Sequence, residues 1–593
     1  MTTAVDRVSS SNSSDSIADP TDEGSANPVD APGRRDGPLR RLSSNRMVWI
    51  MGIVVVAAAA RLVALRSAYD VFIDEVTYTT ISRNLAHGHG LVLYGQPFDL
   101  HPPAAFALYA GVIRVFGLHG SVEATLFALR NVPVVLGTVT CVLTFLIVER
   151  AGGRWTALCA GLLVALDPMV ISYDSRVMLE APAQCAVAAM VLCLVHASGA
   201  SRGTSSVSVK IRETIPYGID PSATGRPIRW RWVLPAGLFG AIVLCTKETF
   251  GLVVGLTLVV LVITGWVVPR RQAAVVLALT VLGYAVSVVA VGLTSGFDVW
   301  WHATAGGALR LIGTKQITGF NSPTVHVSFI SRVLANGPLL AGTYLVLGAG
   351  VLAGVGLLWR LEPWSPGRYP RRTADRVGVL IGVWTLAAAA YLVYATVFGT
   401  IEEQMYYILF LPCVMSLCLW FDGTLGSSSP LRGRWRNAAV ILVVVALVFD
   451  LTAWTVVHAR SDDETRRMLT WEATHVPPSA VVSSTDGTTQ FLLPNGIIGQ
   501  WNTIAELRAH HVDYVILATS LVEQGYGVAS PAFAQEVEQT GRLVFAADGV
   551  SDGSLQVYDV RGITGGSATS AVPASPGPAG GSLTGATSPG GGA

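Results

Sequence analysis

Eleven long apolar segments decide what this chain can fold into. They cover 47–65, 126–148, 155–173, 178–198, 232–248, 250–268, 273–294, 337–359, 377–398, 406–421 and 437–457. A helix needs about 20 apolar residues to cross a bilayer, within a range of about 17–25. All eleven meet that length except 406–421, which is slightly short. Of the 593 residues, 51% are hydrophobic and 13% charged, against about 25% charged in a soluble protein. The chain therefore reads as an α-helical polytopic membrane protein. Its net charge of +1 gives no sign of a nucleic-acid partner.

Arginine and lysine beside the spans set their orientation. The N-terminal region carries Arg34, Arg35, Arg40, Arg41 and Arg46, which predicts a cytoplasmic N-terminus in the plasma membrane. Alternation then puts Arg150/Arg154, the 199–231 loop, Arg270/Arg271, 360–376 and Arg432/Arg434/Arg436 on the same side. This requires that "AAFALYAGVIRVFG" (104–117) does not span. Fourteen residues suit a helix lying along the interface better than a crossing. Residues 66–125 are thus expected to form one long outer loop with interfacial helices.

The spans also divide the chain into domains. Residues 1–46 and the Gly/Pro/Ser-rich 564–593 cannot bury enough apolar surface to offset their ordering entropy, and are expected to be disordered. Residues 47–457 form the membrane domain. Residues 458–563 carry the strand-like runs "AVVSS", "DYVILA", "RLVFAAD" and "LQVYDV" with helix-like pieces between. They predict a small extracytoplasmic α/β domain. Only three lysines, Lys210, Lys247 and Lys315, stand against 37 arginines, a usage typical of a GC-rich bacterial genome. The seven cysteines all lie in apolar segments, so neither a disulfide framework nor a zinc motif is expected.

Ionisable residues at a membrane edge are functional candidates because burying them is costly. Asp74 and Glu75 open the outer loop in "VFIDEVTY". They could simply complement a helix dipole, and neighbours on a helix point about 100° apart. His101, in "HPP", is either the lead-in to a helix or a ligand for phosphate or metal. Arg176 and Glu180, in "YDSRVMLEAP", are four apart and so would share a helix face. They read as an ion pair at a helix end, or as an arginine for an anionic ligand held by its acid. Lys247, in "CTKETF", and Arg61, near the outer end of the first span, are snorkelling anchors or phosphate-binding cations.

Weaker candidates remain. Glu402, Glu403, Tyr406 and Tyr407 sit at the outer end of the tenth span, where an aromatic belt explains the tyrosines. The 295–336 loop, with Trp300, Trp301, His302, Arg310, Lys315 and Asn321, is long enough for a lid. His510 and His511 are adjacent on an expected helix and cannot share a face. Asp167, within the third span, is the main midplane acid, and Asp450, in the eleventh, a weaker one.

Cations with carboxylates at the outer edge suit a sugar carried on a polyprenyl phosphate. Its transfer breaks the bond from the anomeric carbon to phosphate oxygen. Negative charge grows on the leaving phosphate, where Arg or Lys can stabilise it. A carboxylate can take the proton of the acceptor hydroxyl, and cations beside it should lower its pKa. The alternative is a transporter or flippase of a lipid-linked sugar. That would call for midplane sites and internal repeats, and no repeat is evident.

In that order, "FIDEVTY … HPP", "DSRVMLEAP" and "TKETF" resemble the protein O-mannosyltransferases and the lipid A aminoarabinose transferases, which are type C glycosyltransferases. The likeness covers 47–421 and is strongest before residue 250. It implies a membrane enzyme of the cell envelope that takes a polyprenyl-phosphate sugar and passes it to a polysaccharide, lipid or protein acceptor. Asp74 would be the general base, with Glu75 beside it. Arg176 would contact the donor phosphate, with Glu180 in the accompanying acidic position, and Arg130 falls where the family often has an arginine. No cofactor is required by the resemblance. Were a divalent cation held near the acid pair, Glu75 and His101 would be its ligands. The family often has Asp near the position of Glu180, and the β-trefoil insert of eukaryotic protein mannosyltransferases is not visible here.

Overall fold

The computed structural model describes residues 46–93, 95–199, 229–311, 329–365, 370, 372–397, 404–425, 432–493, 496–523, 529–549 and 553–565. Residues 1–48 and 49–593 are separate units. Of the first, only 46–48, at the start of a helix, are described. The second holds the helices, the sheet and the site.

After α1 (Arg46–Leu62) come α2 (Ile73–Ala86), the antiparallel pair β1 (Val92–Leu93) and β2 (Gln96–Pro97), α3 (Ala104–Phe116) and α4 (Val122–Leu129). Next are α5 (Asn131–Val148), α6 (Arg154–Leu166), α7 (Pro168–Asp174), α8 (Glu180–Ala197), α9 (Trp230–Leu244) and α10 (Glu248–Thr264). The helical part ends with α11 (Arg270–Ser295), α12 (Phe297–Leu311), α13 (Phe329–Leu361), α14 (Thr373–Val397), α15 (Gln404–Leu425) and α16 (Arg432–Ala459). Each of the eleven apolar segments holds a helix. Seven helical stretches among the described residues are long and apolar enough to cross a membrane, or eight if the bent pair α6–α7 is one span. The remaining helices, α1, α9 and α10, have 17, 15 and 17 residues. The chain is a multi-pass membrane protein, and the exposed apolar faces of α11 (Val281, Leu282, Val286, Val289) and α16 (Ile441, Val444, Val445, Val448) suit a hydrocarbon solvent.

Two breaks in the helices position the site. Asp167 ends α6, and its carboxylate accepts the N–H of Val170 at 2.9 Å. With Pro168 at the first helical position, this starts α7 afresh, bent 62° from α6. Between α7 and α8, residues 175–179 are not helical. Arg176 and Glu180 therefore do not share a helix face, contrary to the spacing argument.

The stretch 66–129 has a core of its own. Val76, Tyr78 and Ile81 of α2 pack with Phe106, Tyr109 and Ile113 of α3, Leu126 and Leu129 of α4, and Val177–Leu179. The Tyr109 hydroxyl donates to the Met178 carbonyl at 2.7 Å, which fixes the 175–179 segment against α3.

Beyond α16 come α17 (Glu464–His475), β3 (Val481–Ser484), α18 (Gly487–Leu492), β4 (Ile497–Gly499), α19 (Ile504–Ala509), β5 (Tyr514–Ala518), α20 (Thr519–Glu523), α21 (Pro531–Thr540), β6 (Arg542–Asp548), β7 (Ser554–Asp559) and α22 (Arg561–Thr564). The strands form one sheet of order β4-β3-β5-β7-β6. β3 runs parallel to β4 and β5, while β7 is antiparallel to both its neighbours. This domain touches the stretch 66–129 directly. Thr465 donates its hydroxyl to Asp70 Oδ2 at 2.6 Å, the N–H of Asp462 reaches the Ser67 carbonyl at 2.7 Å, and Phe491 and Leu492 pack on the loop's core.

Candidate active site

The first turn of α2 sends its two acids into different surroundings, as the helical angle between neighbours requires. Glu75 is fully buried. Its Oε1 accepts from Arg130 Nε at 3.0 Å and from the Val177 N–H at 2.7 Å. Its Oε2 accepts from Arg130 Nη2 at 2.6 Å and from the Phe72 N–H at 3.3 Å. A carboxylate offers about four acceptor positions, and all are taken. Arg130 spends its other donors on the carbonyls of Leu65, Tyr69 and Asp70, at 2.9, 3.0 and 3.1 Å. The pair knits α2, the α4–α5 junction, residues 65–72 and residue 177 into one piece. Glu75 is thus a structural strut, not a second reacting acid.

Asp74 faces the other way. Its neighbours are Lys247, His101 and Glu180, and Tyr78 hydrogen-bonds its carboxyl. It keeps 9% exposure where Glu75 has none. Burial pushes its pKa up to about 6, against the pull of Lys247, His101 and the Tyr78 bond. The sequence predicts a value lowered by the neighbouring cations, but desolvation outweighs them. At neutral pH roughly nine-tenths of such a group is still ionised. That suits a general base, which works best with a pKa near the operating pH.

Lys247 lies in the extended residue between α9 and α10. Its Nζ donates to Glu180 Oε1 and, at 3.1 Å, to Gln404 Oε1. These use two of its three donors. Glu180 Oε2 is buried with no hydrogen-bond partner among the described residues. Glu180 therefore answers to Lys247, not to Arg176.

Arg61 is employed elsewhere. It is fully buried, with Nε and Nη2 on Asp174 Oδ2 at 2.9 and 2.8 Å. Its remaining donors reach the carbonyls of Ala57, Ala165 and Val164 at 3.1, 3.0 and 3.3 Å. Tyr407, expected in an aromatic belt, donates to Asp174 Oδ1 at 2.5 Å. Gly137 permits this packing, because a Cβ there would collide with Asp174 Oδ2. Arg61 is thus a helix tie, and a snorkelling or phosphate-binding role does not fit. Arg176 is half-buried beside the start of α2. Its guanidinium lies 5.3 Å from the Tyr69 ring and 6.0 Å from Phe72, with Nη1 3.4 Å from Ser172 Oγ.

His101 is buried next to Tyr78, with Nδ1 3.8 Å from Glu248 Oε2. It lines a narrow pocket with Asp99, Glu248, Tyr284, Ser287 and Trp300. Asp99, Glu248, Tyr284 and Gln404 carried no signal in the sequence, since nothing but folding brings them here. Trp300 belongs to the lid-length loop, whose 312–328 part lies outside the described residues, as do Glu402 and Glu403. His510 stacks on Trp501 at 4.5 Å, well away in the C-terminal domain. Glu75 and His101 do not make a cation site, because the acceptor positions of Glu75 are filled. Among the described residues no three His, Cys, Asp or Glu side chains stand together as metal ligands.

Residues 100–206 match the family model described as dolichyl-phosphate-mannose-protein mannosyltransferase. The matched stretch holds His101, Arg130, Arg176 and Glu180. The chain is similar to the type C glycosyltransferases. Its fold is like that of the oligosaccharyltransferase AglB from Archaeoglobus fulgidus, solved with an inhibitory peptide and a dolichol-phosphate. That match has a TM-score of 0.50 and 12% identity over 86% of this chain and 74% of that one. ArnT from Cupriavidus metallidurans matches at a TM-score of 0.49 and 15% identity over 87% and 99% of the two chains. At such identities the likeness to type C glycosyltransferases is one of fold. Comparison with curated protein sequences gives no match.

Proposed function

We propose that this chain is a type C glycosyltransferase that moves a sugar from a polyprenyl-phosphate carrier to an acceptor hydroxyl on the extracytoplasmic face of the membrane. The observation that carries the reading is the unsaturated cluster around Asp74. A buried carboxylate that keeps 9% exposure, with a pKa near 6, stands by Lys247 and Glu180, and among the described residues both of these have hydrogen-bonding capacity to spare. The AglB complex with a dolichol-phosphate is consistent with a lipid-phosphate donor.

In this reading Asp74 takes the proton of the acceptor hydroxyl as its oxygen attacks the anomeric carbon. The bond from that carbon to phosphate oxygen breaks, and the electron pair leaves with the phosphate. Arg176 faces the growing negative charge; the family resemblance and its place beside α2 both favour it. Lys247, fixed by Glu180 and Gln404, adds a nearby positive charge. No step runs through a metal.

Protein in nanodiscs, given a radiolabelled polyprenyl-phosphate sugar and a membrane extract of acceptors, tests the reading. Wild type should transfer label and Asp74→Asn should not. Equal transfer by the two proteins rules out the proposed base. In sealed liposomes, movement of intact donor across the bilayer without transfer favours the flippase alternative.

A further inference from the structure

A cavity of about 420 Å³ lies where the C-terminal domain meets the outer loop. It falls within the range of about 300–1,000 Å³ typical of small-molecule sites, which favour domain junctions. One wall is the start of α4, with Ser121, Val122 and Glu123; the others come from α17 and α18. Val122, Leu469, Phe491 and Leu492 make it mainly apolar, while Ser121 and Thr470 add hydroxyls. Among the described residues Glu123 is its one charged side chain, and no cation lines it. An anionic group would meet a like charge there with nothing to pair it. The volume is also too small for a whole polyprenyl tail.

Position ties the cavity to the chemistry. α18 starts at Gly487, where a Cβ would lie 2.8 Å from Ile73 Cδ1. Ile73 immediately precedes Asp74. The helix ends at Leu492, in the cavity wall. Five residue steps separate the two ends, roughly 8 Å at helical rise.

We propose that this cavity holds an uncharged hydrocarbon segment of the acceptor, a short alkyl or acyl chain next to the hydroxyl that receives the sugar. The proposal rests on the transfer reaction above and adds the class of acceptor, an amphiphile with no anionic group at this end. A chain seated against Phe491 and Leu492 leaves its hydroxyl end free to extend along α18 toward Asp74. Glu123, Ser121 and Thr470 supply acceptors and hydroxyls for the polar edge of such a molecule.

The test uses the full chain in nanodiscs and octyl glucoside carrying a diazirine on its alkyl chain. Ala473, an exposed residue of α17, lines the cavity, so Ala473→Trp fills the space from outside the fold's core. Photolabel should map to 469–473 and 491–493 and fall about tenfold in Ala473→Trp, the change expected from about 1.4 kcal/mol of lost binding. Thr470→Trp, at a second exposed position, should act in the same direction. Label absent from both segments in wild type, or undiminished in both variants, overturns the proposal. Asp74→Asn is the separate arm: it should keep the label and lose sugar transfer. If it keeps both, the reaction falls and the cavity's ligand stands. If it loses transfer while Ala473→Trp labels like wild type, the cavity proposal alone falls.

Discussion

Arg130 and Lys247 flank the same turn of α2, and each is buried against a carboxylate. Arg130 places all five donors on five protein acceptors, and with the N–H groups of Val177 and Phe72 it fills its partner Glu75. Among the described residues Lys247 uses two donors, and its partner Glu180 keeps one buried oxygen without a hydrogen bond. Arg61 with Asp174 repeats the closed pattern. A closed network rigidifies, and it has nothing left for a substrate. An unsaturated one is costly in the resting protein and becomes useful when a ligand completes it. The contrast separates scaffold from chemistry more sharply than charge or burial does, since all these groups are charged and buried.

Four experiments can break or sharpen the contrast. Asp74→Asn should lower sugar transfer about 10²–10⁴-fold, the usual contribution of a general base, while thermal unfolding in nanodiscs stays near wild type. Arg130→Met should do the reverse. Removing one partner of a buried pair costs about 3–5 kcal/mol, so its unfolding temperature should drop markedly and yield should fall. If Arg130→Met unfolds like wild type, the closed network is not a scaffold.

The third experiment is pH. Burial raises the Asp74 carboxyl to about 6, so transfer should fall about tenfold per pH unit below that value as the base is protonated. The stability change has the opposite sign. Between the ordinary carboxylate value and about 6, the folded protein holds a proton that the unfolded chain releases, so this group's contribution weakens as pH rises through that window. A flat rate profile between pH 7 and 5 would count against Asp74. The smallest effect should come from Lys247→Gln. Loss of the cation that opposes desolvation should move the acid limb of the profile to higher pH. An unmoved limb would place Lys247 in packing alone.

Much of this was legible in the chain. The eleven apolar segments gave the helices their places, and the angle between helical neighbours allowed Asp74 and Glu75 to part, though the sequence left both as candidates for catalysis. The ordered motifs pointed to the family of folds. What stayed hidden were pairings that only tertiary structure creates. Arg61 meets Asp174 across 113 positions, and Lys247 meets Gln404 across 157. No spacing rule reaches that far. Arg176 and Glu180 misled because helical spacing was applied where residues 175–179 leave the helix. The balance at Asp74 was also unreadable, since it depends on how much water folding removes from one side chain.

The hydrogen bond from Thr465 to Asp70 joins positions 395 residues apart. Ribosomes add roughly 5–20 residues per second, so the stretch between them takes about 20–80 s to make. The segment bearing Asp74 is thus made well before the residue that braces it. The bond therefore closes only after the chain between its two partners has been made.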